Sequence, residues 1–340
     1  MAASFSRELT VAQEAVRHAA RLCRNVQASI TPGTLEKKDK SPVTVADFAS
    51  QAVICRAIGD AFPHDPIIGE EDAEELRTTE NSQFLARIRA EVAAIGIDAD
   101  VNRICEWIDR GGASDYSPRF WTLDPIDGTK GFLRKEQFAI SLALIVEGNI
   151  EVALLGCPNL EFDDQPGSSR GVLYYATRGG KSWKLPLDQE ASPQPIRVSS
   201  SSDASASRFC ESVESGHSEH GLSARAAEKL GIGREPLRMD SQAKYAVVAD
   251  GRAEIYMRLP AKKDYKEKIW DHVGGVLLVE EAGGIVTDVL GRPLEFTHGK
   301  ELLANRGVIA TNGKMHDRVL AALAESYRDA GLHLTGGTPL

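Results

Sequence analysis

Two aspartates three positions apart, Asp124 and Asp127, lie in WTLDPIDGTKGF (Trp121–Phe132), flanking Pro125 and directly preceding Gly128 and Thr129. A loop that only reverses the chain has use for the proline and the glycine, but not for paired carboxylates. Carboxylate oxygens are hard donors that suit Mg²⁺, an ion held by few protein groups together with water and phosphate oxygens. Backbone N–H groups at Gly128–Thr129, where a helix is predicted to start, can cradle a phosphate. Further acids stand at the edges of other predicted elements. Asp47 opens a helix after SPVTVA, Glu70 and Glu71 close the short strand Ile67–Ile68, and Asp271 opens the helix of WDHVGGVLLVEEAGG. Singly, each has a plain structural use as an N-cap, a solvated loop acid or a turn residue. Together they predict paired Mg²⁺ ions, about 4 Å apart, clamping the attacking water and the leaving oxygen of an in-line displacement.

Alternating helices and strands must carry these acids. Leu9, Ala12, Val16, Ala19, Cys23 and Val26 recur at helical spacing, and a second helix runs on from Asp47. Residues 80–105 are expected to form helix, and 109–118 an exposed loop. FAISLALIV (138–146) and IEVALLGC (150–157) predict a hairpin turning at Glu147–Gly148–Asn149. GVLYYATR and KSWKL add strands, and the acidic EFDDQPGSS (161–169) reads as a hairpin tip. In the second half, RAAEKLG predicts a helix and KYAVVADGRAEIYMRL a helix, turn and strand, with a last helix from about Met315 to Ala330. The class is α/β or α+β. The Pro/Ser/Asp/Gln-rich segment 186–207 marks a boundary, giving an N-terminal domain over residues 1–190, a C-terminal domain over residues 191–331 and a tail over 332–340.

With 340 residues, 42% hydrophobic and 26% charged, the chain has ample material for a core. No apolar run approaches the roughly 18 residues that span a membrane, and no secretory leader is expected at the N-terminus. Five scattered cysteines without a CxxC point to a reducing compartment, so a cytoplasmic location is expected. A net charge of −9 argues against nucleic acid as partner. It also requires a cation beside any small phosphate substrate.

DPIDGT, the upstream GEE, and WD followed by eleven residues and GG (Trp270–Asp271, then Gly283–Gly284) resemble the lithium-sensitive, magnesium-dependent phosphomonoesterase superfamily. That superfamily includes inositol monophosphatases, fructose-1,6-bisphosphatases and 3′(2′),5′-bisphosphate nucleotidases. DKSPVTVADFASQAVI, ESVESGHSEH, DSQAKYAVVADGRAEIYMRLP and EKIWDH look most like the fungal and plant bisphosphate nucleotidases. The resemblance implies a layered αβαβα sandwich, with the site between an N-terminal α+β domain and a C-terminal α/β domain. It implies that Glu70, Asp124, Asp127, Asp271 and the Ile126 carbonyl hold two or three Mg²⁺. Asp47, Glu70 and Thr129 would orient and deprotonate the attacking water, and Gly128 and Thr129 would receive the scissile phosphate. His217, Ser241, Lys244 and Arg258 would bind the nucleotide and its remaining 5′-phosphate. The implied reaction removes the 3′-phosphate of adenosine 3′,5′-bisphosphate, or of 3′-phosphoadenylyl sulfate, by direct attack of a metal-activated water. Li⁺ inhibition, a role in sulfur assimilation and a monomeric enzyme are expected alongside.

Rival motifs fail on register. A haloacid-dehalogenase Asp-x-Asp has one residue fewer between its acids, and GGKSW lacks a P-loop's first glycine because Tyr175 stands there. His217 and His220 have no cysteine or further close ligand with which to hold zinc. Activity on inositol phosphates remains the alternative within the enzyme class, and a non-catalytic nucleotide sensor the alternative outside it.

Overall fold

The structure is a computed structural model that describes residues 5–30, 45–165, 167–213, 220–260 and 265–332. The first half holds α1 (Ser6–Ser29), α2 (Val45–Ala61), β1 (Ile67–Gly69), α3 (Ser82–Ala94), α4 (Val101–Asp109), β2 (Arg119–Asp127), α5 (Thr129–Leu133), β3 (Ala139–Val146), β4 (Asn149–Glu161), β5 (Arg170–Thr177), β6 (Ser182–Pro186) and β7 (Gln194–Ile196). The second half adds β8 (Phe209–Glu211), α6 (His220–Leu230), β9 (Leu237–Arg238), α7 (Ala243–Ala249), β10 (Ile255–Arg258), α8 (Val273–Glu281), β11 (Ile285–Thr287), β12 (Val308–Thr311) and α9 (His316–Asp329).

Strands β1 to β7 form one sheet in sequence order, parallel only between β1 and β2. The second sheet runs β11-β12-β10-β8-β9. β3 and β4 are apolar on both faces because both faces are covered, which removes the usual in–out alternation. Leu142, Leu144, Val152, Leu154 and Leu173 face a core shared with α1 and α2. Ala143, Ile145, Leu155, Val172 and Tyr174 face the opposite way, into a core shared with α7, α8 and the near face of the second sheet. Phe209, Ile255, Met257 and Ile309 on the far face of that sheet pack with α6 and α9. The three cores give five layers, α–β–α–β–α, as the resemblance implied.

The stretch expected to form one helix over 80–105 is two. Gly96 turns the chain at φ +86°, and the Asp100 side chain accepts the Arg103 N–H at 2.9 Å to start α4. β7 pairs with β6, so residues 194–196 of the Pro/Ser-rich segment complete the first sheet. The tail from residue 333 lies outside the described residues. No helix among those described is long and apolar enough to cross a membrane. All five cysteines are free and buried.

Candidate active site

In an unbroken strand, residues three apart face opposite sides of the sheet. Asp124 and Asp127 escape this because the β2–β3 ladder shifts register between them, at Pro125–Ile126. Proline has no N–H for the ladder, and the Ile126 N–H donates instead to Asp124 Oδ1 at 3.1 Å. Ser50 of α2 pins the irregularity from behind, its hydroxyl donating to the Pro125 carbonyl at 3.0 Å. The two acids thereby come into electrostatic contact with each other and with Asp271.

Glu70 joins them from the end of β1, the strand paired with β2. Its carboxyl lies within hydrogen-bonding reach of Asp124, and Asp47, Glu71 and Asp271 add their charge. Partial desolvation of Glu70 and full burial of Asp124 push both carboxyls well above the ordinary carboxylate range, and the neighbouring acids push them further. Burial and Asp271 also raise Asp127, with Lys244, Arg258 and the Gln242 N–H opposing. Glu70 is exposed while Asp124 is buried, so the group of acids reaches from the surface inward. Asp47 is buried in the first turn of α2. Gln51, one turn further along that helix, accepts the Glu71 N–H at 3.0 Å and donates to the Glu71 and Ile108 carbonyls. It anchors the chain just past Glu70. Sequence reasoning passed over Gln51, although its i,i+4 spacing from Asp47 places both on one helical face.

Gly128 follows Asp127 at φ 87° and ψ 42°, in the left-handed region, and begins the five-residue α5. A Cβ there would stand 3.0 Å from Ser241 Cβ and 3.3 Å from Asp240 Cβ, so Gly128 also allows the loop before α7 to approach. Thr129 donates its hydroxyl to the Ile126 carbonyl at 3.2 Å, leaving that oxygen's second lone pair available. Gly128→Ala is expected to cost about 1–3 kcal/mol through strain and crowding. It should also lower kcat roughly tenfold by displacing Ser241. Thermal melts and steady-state phosphate release measure the two effects.

Lys244 and Arg258 are not a solvated pair. Lys244 is 4% exposed, donates to the Met239 carbonyl at 3.2 Å and lies 5.4 Å over the Tyr256 ring. Burial lowers its pKa, with Asp127 pulling the other way. Arg258 Nη2 donates to Asp271 Oδ2 at 2.7 Å, and Nε lies 2.7 Å from Glu267 Oε2. Burial works against the guanidinium's charge, but Glu267 and Asp271 outweigh it and lift its pKa. His272 completes the group behind Asp271, with Nε2 3.1 Å from Glu267 Oε2 and Nδ1 2.8 Å from the Tyr245 hydroxyl. Burial alone would raise Glu267, yet Arg258 and His272 hold it below the usual carboxylate range. A Glu267 carboxylate can only accept, which makes His272 Nε2 the donor and, on a neutral ring, leaves Nδ1 to accept from Tyr245. Glu267, His272 and Tyr245 escaped sequence reasoning.

The structure thus brings Glu70, Asp124, Asp127 and Asp271 together, with Asp47, Ile126, Gly128, Thr129, Ser241, Lys244 and Arg258 around them. His217 lies outside the described residues. Carboxyls in hydrogen-bonding reach of one another must share protons or a cation. An all-oxygen set backed by a backbone carbonyl fits a hard divalent cation. Glu267, Asp271 and His272 also lie close enough to suggest a ligand triad, but Glu267 is engaged by Arg258 and His272.

Fold and acids together define a metal-dependent phosphatase architecture, and comparison with known proteins places the chain within it. The profile of the Inositol monophosphatase family matches residues 6–328, and the chain belongs to that family. It is 44% identical to the 3′(2′),5′-bisphosphate nucleotidase of Schizosaccharomyces pombe, over 94% of this chain and 96% of that one. Identity to the enzyme of the same name from Oryza sativa is 40%, over 96% of each. Among solved structures, the Thermotoga maritima IMPase superposes with a TM-score of 0.63 at 21% identity, over 95% of this chain and 99% of that one. Family membership carries a requirement for divalent metal.

Proposed function

We propose that this protein is a Mg²⁺-dependent phosphomonoesterase that converts adenosine 3′,5′-bisphosphate to AMP and phosphate, with 3′-phosphoadenylyl sulfate as a second substrate. The reading rests on one juxtaposition. A cluster of acids suited to divalent cations sits against two cations, the buried Lys244 and the partly buried Arg258, which a monophosphate ester would not need. Identity of 40–44% to named bisphosphate nucleotidases over nearly the whole chain supports it.

Glu70, Asp124, Asp127, Asp271 and the Ile126 carbonyl would hold two or three Mg²⁺. When bound, Mg²⁺ supplies charge neutralisation at the phosphoryl oxygens and a lowered pKa for water. Asp47 and Thr129 would orient the attacking water, and Glu70 in its ionised form, made more basic by desolvation and the neighbouring acids, would accept its proton. The Gly128 and Thr129 N–H groups receive the scissile phosphate. Lys244 and Arg258 take the 5′-phosphate, Arg258 through its planar fork, with Ser241 and His217 against the nucleoside. No residue forms a covalent intermediate. A monomeric cytoplasmic enzyme of sulfur assimilation, inhibited by Li⁺, accords with the resemblance. So does a division into a ligand-bearing domain over residues 1–190 and a nucleotide-binding domain over residues 191–331.

Phosphate release from a panel of adenosine bisphosphate, adenosine 3′-monophosphate and inositol 1-phosphate, with and without Mg²⁺, tests the reading. Preferential turnover of the bisphosphate is expected; preference for inositol 1-phosphate would overturn it in favour of the alternative activity. Arg258→Ala should raise KM for the bisphosphate about tenfold or more, while KM for adenosine 3′-monophosphate changes little. By leaving the buried Glu267 carboxylate with His272 as its remaining partner, it should also destabilise the fold by about 3 kcal/mol. Equal KM effects on both esters would count against a 5′-phosphate contact.

A further inference from the structure

Gln242 follows Ser241, whose φ of 74° turns the chain just before α7, and it is 2% exposed. Its backbone N–H donates to Asp127 Oδ2 at 2.6 Å. Its side-chain Nε2 donates to the carbonyl of Trp270, the residue before Asp271, at 2.8 Å. Its Oε1 accepts from the Ser141 hydroxyl at 3.2 Å, and Ser141 stands opposite Asp124 in the β2–β3 ladder. One residue therefore touches Asp127 itself, the chain neighbour of Asp271 and the cross-strand neighbour of Asp124.

These attachments straddle the join between the layers. Asp124, Asp127 and Ser141 belong to the first sheet, whereas Trp270–Asp271 belongs to the turn leading into α8. Asp127 and Asp271 repel each other, and that repulsion acts to separate the two sides. An apolar side chain in this place would fill the space but leave the Trp270 carbonyl and Ser141 hydroxyl without their Gln242 bonds, removing the side-chain bridge between the two sides at the acids.

We propose that the Gln242 side chain is a positioning residue that holds Asp271 in register with Asp124 and Asp127, setting the separation of the acids before a cation arrives. The proposal rests on the reading of these acids as metal ligands. Groups that orient ligands without touching the metal typically change metal affinity or activity by about 10- to 100-fold when removed. The backbone bond to Asp127 survives any substitution other than proline at this position, so variants isolate the side chain.

The test titrates Mg²⁺ alone, without nucleotide, into metal-stripped protein by calorimetry, and separately measures kcat and KM with adenosine 3′,5′-bisphosphate. Gln242→Met, of similar length and without hydrogen bonds, should raise the Mg²⁺ half-saturation concentration about tenfold or more and lower kcat comparably, with KM within about threefold. Gln242→Glu retains an acceptor for Ser141 but, ionised, loses the donor to Trp270, and should show the same pattern if Gln242→Met does not fold. Leu323→Ala, in the core between α9 and the second sheet, serves as a control for destabilisation away from the site. It should leave Mg²⁺ half-saturation unchanged. Wild-type Mg²⁺ affinity in the foldable Gln242 variant, or an equal shift in Leu323→Ala, would overturn the proposal. Should the wild-type protein bind Mg²⁺ yet release no phosphate from the bisphosphate, the functional reading falls while the Mg²⁺ titrations still decide the role of Gln242.

Discussion

Asp127→Asn is expected to lower kcat at least about a hundredfold at saturating Mg²⁺ while leaving the protein folded. Asparagine matches aspartate in shape, and its carbonyl oxygen can still accept the Gln242 N–H that meets Asp127 Oδ2 at 2.6 Å. What disappears is one negative charge at the point where Asp124 and Asp271 face each other and where Lys244 and Arg258 approach. Burial and Asp271 disfavour that charge in the absence of cation. The variant should therefore melt at the same temperature as metal-free wild type, or slightly higher. A collapse of turnover with stability preserved separates loss of a ligand from loss of the fold. A rate within a few-fold of wild type would remove Asp127 from the proposed ligand set.

The acids were legible because their chemistry is local: DPIDGT, GEE and WD each join carboxylates to turn-forming or strand-ending residues. β1, β3 to β6 and β10 were legible too, as apolar runs bounded by turn residues, whereas β2, β7, β8, β9, β11 and β12 were not. The division of 80–105 into α3 and α4 was missed because helical composition continues on both sides of the short link at Gly96. The second tier of the site was not legible for a different reason. Gln242, Glu267, His272 and Gln51 carry no spacing signal of chemistry, and their importance comes from what the fold places against them. Arg258 illustrates the point: residue type suggested a phosphate partner, but only packing reveals that Glu267 and Asp271 already share its guanidinium. Any phosphate bound by Arg258 would therefore have to join an existing ion-pair group in which Glu267 holds Nε and Asp271 holds Nη2.

Stripping divalent cations should abolish turnover and also reveal the electrostatic tension of the empty acid cluster as a dependence of stability on pH. Glu70, Asp124 and Asp127 all titrate above their ordinary range in the folded chain, chiefly because burial disfavours their charge and secondarily because they face one another. A carboxyl whose folded pKa is raised holds its proton in the native state at pH values where the unfolded chain has released it. The native state then binds more protons than the unfolded one, so stability falls as pH rises from the ordinary carboxylate range through the raised pKa values. Chelator-treated protein should accordingly melt at a higher temperature near pH 5 than near pH 8. Mg²⁺ reverses the ordering, since a cation stabilises the ionised acids and must displace protons to bind. At a hundred times its dissociation constant a ligand adds about 2.7 kcal/mol, a shift of roughly 5 °C in melting temperature. That shift should be larger near pH 8, where fewer protons compete, and should shrink toward pH 5. Thermal melts at both pH values, with and without Mg²⁺, decide the matter: an equal Mg²⁺ shift at each pH would mean that the cation binds somewhere other than these raised carboxyls.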